Sequence, residues 1–123
     1  MKGKKVLIVD DDPRVIDVLS KLFADAGAEV EGAISYEAGL TAIKKDSPAV
    51  AIVDLMLPER SGIELVKETR ASAPETFFVI LTNSINAENL ADAMEANITL
   101  FVQKADHDPS EIVQMVASHF EKK

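Results

Sequence analysis

The acidic run Asp10-Asp11-Asp12, the lone Asp54, Thr82 and Lys104 are the residues of this chain whose types could do chemistry together. Clustered carboxylates offer the all-oxygen donor set that suits Mg2+, Ca2+ or Mn2+. An Asp carboxylate can also act as a nucleophile and accept a phosphoryl group. A hydroxyl can hydrogen-bond a phosphoryl oxygen, and an ammonium can neutralise charge that develops during transfer. Each residue also has a plainer reading. Asp12 before Pro13 suits a helix N-cap. Asp10, Asp11 and Asp54 could be solvated loop acids, Thr82 a residue that merely ends a strand, and Lys104 a surface charge. Their placement favours chemistry: each stands at or just beyond the end of an apolar run.

Val6-Leu7-Ile8-Val9 runs into the acidic triplet, and Val50-Ala51-Ile52-Val53 runs into Asp54. Short apolar runs rich in β-branched residues predict buried strands of a parallel sheet. The remaining strands are expected at Ala28–Ala33 on an edge, Phe77–Thr82, and Ile98–Val102 just before Lys104. Five helical patterns alternate with them, each following a strand. Pro13–Ala26 carries Val15, Val18, Leu19, Leu22 and Phe23 on one face. Tyr36–Lys45 is interrupted by Gly39. Ser61 to about Ala71 opens with the capping-box spacing Ser61-Gly62-Ile63-Glu64. Ala87–Glu95 is expected to turn Leu90, Ala93 and Met94 inward. Asp108-Pro109-Ser110-Glu111 opens the last helix, with Ile112, Val113, Val116 and Phe120 on its apolar face.

Strict alternation of strand and helix predicts an α/β fold, (βα)5, a doubly wound five-stranded parallel sheet of the flavodoxin-like kind. Its common strand order is 2-1-3-4-5, which sets strand one beside strand three at the switch point. Asp10 and Asp11 then meet Asp54 in the crevice where such sheets bind ligands, and two adjacent acids after a buried strand there call for a cation.

At 123 residues, 47% of them hydrophobic, the chain reads as one domain over 1–123 with no output domain. It has no cysteine, so disulfides and thiolate metal sites are excluded. A formal net charge of −8 argues against direct nucleic-acid binding. The end clusters Lys2-Lys4-Lys5 and Lys122-Lys123 read as solvated termini, and His107 and His119 as isolated, exposed residues. No apolar stretch suits a membrane span or a signal peptide, so no membrane contact and a cytoplasmic location are expected.

The motifs Val6-Leu7-Ile8-Val9-Asp10-Asp11-Asp12-Pro13, Asp54-Leu55-Met56-Leu57-Pro58 with Gly62, Leu81-Thr82 and Phe101-Val102-Gln103-Lys104 resemble those of two-component response regulator receiver domains, chemotaxis regulators among them. The resemblance covers nearly the whole chain. It implies phosphorelay signalling, with Asp54 as phosphoacceptor. It implies Mg2+ held by Asp11 and Asp54 directly, by Asp10 partly through water, and by the Met56 carbonyl. Thr82 would reach a phosphoryl oxygen, Lys104 would pair with the phosphate, and Phe101 would be the switch aromatic. Phosphorylation would then remodel the face of the fourth helix, fifth strand and fifth helix. The chain would catalyse only its own phosphorylation and dephosphorylation, and so not count as an enzyme. Its partners would be a histidine kinase or phosphotransfer protein and an unidentified downstream protein, with a homodimer left open.

Several positions depart from the family pattern. Asn83 stands where Ala or Gly is usual, and Ala105 where Pro in a cis peptide is usual. Asn97-Ile98 replaces a common Gly-Ala, Phe101 lacks a tyrosine hydroxyl, and Met56 and Ser84 occupy the variable positions that tune dephosphorylation. Two alternatives remain. One is a receiver-fold interaction module that is not phosphorylated in use. The other is a Mg2+-dependent hydrolase of the haloacid dehalogenase type, whose nucleophile and acid pair Asp10-x-Asp12 resembles.

Overall fold

Alternation of buried β-branched runs with amphipathic stretches produces the element order β1 (Lys5–Val9), α1 (Pro13–Asp25), β2 (Glu29–Ala33), α2 (Tyr36–Asp46), β3 (Val50–Asp54), α3 (Gly62–Thr69), β4 (Phe77–Thr82), α4 (Ala87–Glu95), β5 (Leu100–Gln103) and α5 (Pro109–Glu121). A short 3-10 turn over Lys104–Asp106 joins β5 to α5. The computed structural model describes residues 1–83, 86–98 and 100–121; Ser84 and the Lys122-Lys123 pair lie outside the described residues.

The sheet is parallel throughout and ordered β2-β1-β3-β4-β5, the common one of the few orders open to alternating βα units with right-handed crossovers. In the register, Val9 lies opposite Val53, and Asp54 opposite Leu81. The acids after β1 and at the end of β3 therefore emerge at the same edge of the sheet. Alternate strand residues feed two apolar layers. Leu7, Val9, Val53 and Ile80 join Tyr36, Ile43, Leu65 and Ala93 from α2, α3 and α4. Val6, Ile8, Ile52 and Leu81 join Leu19, Phe23, Ile112 and Val116 from α1 and α5.

The fourth helix and the fifth strand differ from the sequence expectation. In α4, Ala93 is 1% exposed while Leu90 and Met94 are 43% and 69% exposed. The helix meets the core through Ala93 and then Ala96, and at 100° per residue Leu90 and Met94 both fall on the side of Ala93 away from Ala96, so they turn outward. Strand β5 begins at Leu100, because Ile98 is used in closing α4. Asn97 adopts φ +60°, and the amides of Asn97 and Ile98 donate to the carbonyls of Met94 and Ala93. Such closure suits Asn, one of the few residues that tolerate left-handed backbone.

The Ser61 capping box is only half formed. Ser61 Oγ accepts from the Ile63 amide at 3.1 Å, but Arg60 takes the Glu64 carboxylate at 2.8 Å. The reciprocal arrangement appears instead at α5, where Glu111 N–H donates to Asp108 and Asp108 N–H to Glu111. The histidines are also more engaged than expected. His107 is half-buried and pairs with Glu111 at 3.2 Å, while the exposed His119 stacks flat on Phe77 with ring centroids 3.7 Å apart. Lys4 lies over the Phe120 ring at 5.1 Å rather than being wholly solvated.

Candidate functional site

Strand ends deliver the candidate residues to one place. Carboxylate oxygens of Asp10, Asp11 and Asp54 lie within 4.8 Å of one another. Asp10 is 1% exposed and Asp54 7%, whereas Asp11 faces solvent. Lys104 reaches across from the 3-10 turn, its Nζ 3.0 Å from Asp10 Oδ2 and 3.8 Å from Asp54 Oδ1. The remaining Asp10 oxygen accepts the Asp12 amide at 2.9 Å, and Asp54 Oδ1 accepts the Met56 amide at 3.3 Å. Thr82 ends β4 at 2% exposure, one residue beyond the strand partner of Asp54. Phe101, paired with Ile80, is half-buried against the α2–α4 layer.

Asp12 takes no part in the cluster. Its carboxylate accepts the Arg14 amide at 3.0 Å, capping α1 as expected of Asp before Pro, and pairs with the Arg14 guanidinium at 3.1 Å. That orientation leaves Asp10-x-Asp12 without the convergent acids a hydrolase pair needs. Ala105 follows Lys104 through a trans peptide, and the chain takes up the 3-10 turn there. Met56 turns its side chain out, 70% exposed, and contributes backbone to the site. Asn83 is exposed at the rim.

Burial raises the Asp54 carboxyl above the usual carboxylate range. The negative charge of Asp10 adds to this, and the nearby Lys104 opposes it. With all three acids ionised, three carboxylates face one ammonium, leaving two negative charges at a half-enclosed site. That residual charge and the hard oxygen donors fit a divalent cation such as Mg2+.

Lys104→Ala will test how much of this balance one ammonium carries. The buried Asp10 carboxylate loses its cation but keeps the Asp12 amide, so a cost of about 2 kcal/mol is expected from chemical unfolding without divalent cation. Mg2+ binding is expected to survive, because the oxygen donors are intact. Loss of the folded state instead would make Lys104 purely structural.

A groove of about 420 Å3 runs between α1 and the start of α5, lined in part by Val15, Val18 and Ile112, and shares Asp12 and Lys104 with the site's rim. Val18, expected inward, lines this groove at 46% exposure. Sequence reasoning also missed a polar network behind the loop from Leu55 to Ser61. Tyr36 donates its hydroxyl to Glu68, and Arg60 pairs with Glu64 and Glu68. No local spacing announces it, since Tyr36 and Glu68 are 32 residues apart.

Known proteins share this arrangement of elements. The chain is 29% identical over 101 residues to the photosynthetic apparatus regulatory protein RegA of Rhodobacter capsulatus, covering 82% of this chain and 55% of that protein. It is 30% identical over 118 residues to the transcriptional regulatory protein YhcZ of Bacillus subtilis, covering 94% and 54%. The chain thus spans about half the length of these two relatives. The crystal structure of a CheY-like receiver domain protein from Methanospirillum hungatei superposes with a TM-score of 0.91 at 25% identity, over 98% of this chain and 96% of that one. Chemotaxis protein CheY4 of Vibrio cholerae superposes with a TM-score of 0.86 at 27% identity, over 94% and 98%. With a response regulator receiver domain model matching residues 6–117, the acids gathered at the switch point stand in a chain that belongs to the response regulator receiver domain family.

Proposed function

We propose that this chain is a Mg2+-dependent phosphoryl acceptor in a phosphorelay, with Asp54 as the acceptor. The observation that carries the reading is the convergence of Asp10, Asp11 and Asp54 with Lys104 spanning two of them. An Asp54 oxygen attacks the phosphorus of the donor, a P–O bond forms, and the bond from phosphorus to the leaving imidazole or carboxylate breaks. Phosphoryl transfer asks mainly for positioning and charge neutralisation. The Met56 amide orients one Asp54 oxygen. Lys104 pairs with the phosphoryl group, and the Thr82 hydroxyl hydrogen-bonds one of its oxygens. Asp10, Asp11, Asp54 and the Met56 carbonyl would hold Mg2+, which when bound supplies charge neutralisation at the phosphoryl oxygens.

The donor is a histidine kinase or phosphotransfer protein, and the groove beside α1 supports its approach from that side. The new phosphoryl group adds about −1.5 to −2 charge. The phosphate favours one packing of the α4, β5 and α5 face over another, with Phe101 turning further inward. A downstream protein then reads that face. On this reading the chain 1–123 is one receiver domain, acting catalytically on itself alone. Among the described residues no helix is long and apolar enough to cross a membrane.

The test is labelling with acetyl phosphate and Mg2+, followed by site mapping of the acid-sensitive acyl phosphate. Label on Asp54 is expected. Label on Asp10 would favour a hydrolase, and no Mg2+-dependent label at all would favour an interaction module.

A further inference from the structure

We propose that Tyr36, Arg60 and Glu68 form a clasp that positions the loop from Leu55 to Ser61, and with it the Met56 carbonyl, for the divalent cation. The proposal rests on the reading of the acid cluster as a Mg2+ site. Its starting point is the loop itself, which is short and closed at its base. Met56 bridges Ser61, and the Gly62 amide donates to the Leu55 carbonyl at 2.8 Å. One end of this loop carries Met56, whose amide already holds Asp54. The other end carries Arg60, and Arg60 is where the loop is fastened from outside.

The Arg60 guanidinium stacks over the Tyr36 ring at 4.6 Å and pairs with Glu64 at 2.8 Å and Glu68 at 3.2 Å. Tyr36 donates its hydroxyl to the same Glu68 oxygen, and its backbone amide faces Glu59 Oε1 at 3.5 Å. Three elements thereby converge: the first residue of α2, the loop, and the outer face of α3. Tyr36 is a firm anchor, 1% exposed within the core layer. Burial, reinforced by the hydrogen bond to Glu68, pushes its phenol well above the ordinary range, so it stays a donor. A planar guanidinium that meets a ring and two carboxylates at once has its plane set by all three, with half of its side chain in water. Nothing in the sheet demands these contacts, since the loop's base is already closed by backbone. Their effect falls on the span from Met56 to Arg60, where a shift would move the Met56 carbonyl.

Partners behind a ligand set how well it is presented, and the coupling between clasp and cation must be reciprocal. Tyr36→Phe removes only the hydroxyl, and Arg60→Ala removes an exposed side chain, so both variants retain the core. Calorimetric titration of the metal-free protein with Mg2+ is expected to show affinity reduced about threefold to tenfold in each. Asp11→Asn serves as the reference and should lose binding almost entirely. Reciprocity supplies a second readout. The chain has one tyrosine and no tryptophan, so its ultraviolet emission reports Tyr36 alone. That emission should change on Mg2+ addition with the calorimetric midpoint, and the change should vanish in Arg60→Ala. Unchanged affinity in both clasp variants, with Asp11→Asn deficient, would overturn the clasp and leave the metal reading intact. A flat Tyr36 emission across the titration would do the same. Undiminished binding in Asp11→Asn would overturn the metal reading and the clasp together.

Discussion

Replacing Asp54 by Asn will abolish Mg2+-dependent phosphoryl incorporation and, in chelator at neutral pH, will make the protein more stable. The first half follows from the proposed chemistry, because the amide is no nucleophile for phosphorus. The second follows from electrostatics. Asp54 lies with Asp10 and Asp11 in a cluster whose carboxylate oxygens are within 4.8 Å of one another, where each like-charge pair costs about 3 kcal/mol at an effective dielectric of about 20. Lys104 at 3.8 Å returns about 4 kcal/mol, and the solvent around Asp11 weakens that acid's share. A net penalty of about 1 to 2 kcal/mol remains, equivalent to roughly 4 to 8 °C in melting temperature for a domain of this size. The carboxamide oxygen that Asp54→Asn introduces still accepts the Met56 amide, so no buried donor is orphaned.

The sign with pH is fixed by the raised Asp54 carboxyl. The native state holds that proton more tightly than the unfolded chain does, so stability falls as pH rises from about 4 through the raised value. The advantage of Asp54→Asn over the wild type should therefore grow across that window and disappear below about pH 4. Thermal melts at several pH values read it directly. A variant less stable than wild type at neutral pH would contradict the strained-acid account. Undiminished phosphoryl incorporation would remove Asp54 as acceptor. Stability given up at a site is the usual signature of groups retained for function.

The parts of this molecule that were legible in the sequence are those fixed by short-range pattern. Val6–Val9 and Val50–Val53 announce buried parallel strands because both their faces are covered. In the common 2-1-3-4-5 order that βα alternation suggests, Asp10, Asp11 and Asp54 meet by topology alone. Asp12 as a cap was equally local, needing only the Pro13 that follows it. What escaped depends on choices made in three dimensions. Leu90 and Met94 satisfy a helical spacing, yet the spacing does not say which of two adjacent stripes meets the sheet, and Ala93 fits closer than either. Ser61 and Glu64 satisfy a capping box, but Arg60 competes for the carboxylate and wins. Ile98 has every strand propensity and is spent on ending α4. The Tyr36–Glu68 contact joins helices that only the fold brings together.

Gly62→Ala should produce the largest loss of stability of any single methyl added near the site. A Cβ at Gly62 would fall inside the Asp54 carbonyl oxygen, with Val53 Cγ1 at 2.9 Å and the Asp54 carbonyl carbon at 3.0 Å. Two of these three neighbours are backbone of β3, the central strand that bears Asp54, and cannot rotate away. The Gly62 amide also donates to the Leu55 carbonyl, so α3 cannot retreat without breaking the closure of the loop. Overpacking of this kind costs about 3 kcal/mol, or roughly 12 °C in melting temperature here. Any relief must come from moving the Met56–Ser61 loop, which displaces the Met56 backbone from Asp54. A displacement of about 1 Å at a reacting centre can lower a rate by about a hundredfold, so acetyl phosphate labelling of the folded fraction should fall by at least about tenfold. Gly32→Ala is the contrast. Its Cβ would meet Ile16 Cγ2, the branch methyl of a half-buried side chain on α1, beside an exposed edge strand. Ile16 is stiff at this branch, so the solvent-facing edge strand must ease outward; about 2 kcal/mol is expected, and labelling should be unchanged because no backbone of the acid cluster is touched. Were Gly62→Ala to melt within about 2 °C of the wild type, the close approach of α3 to the Asp54 carbonyl would not be what holds Asp54 in place.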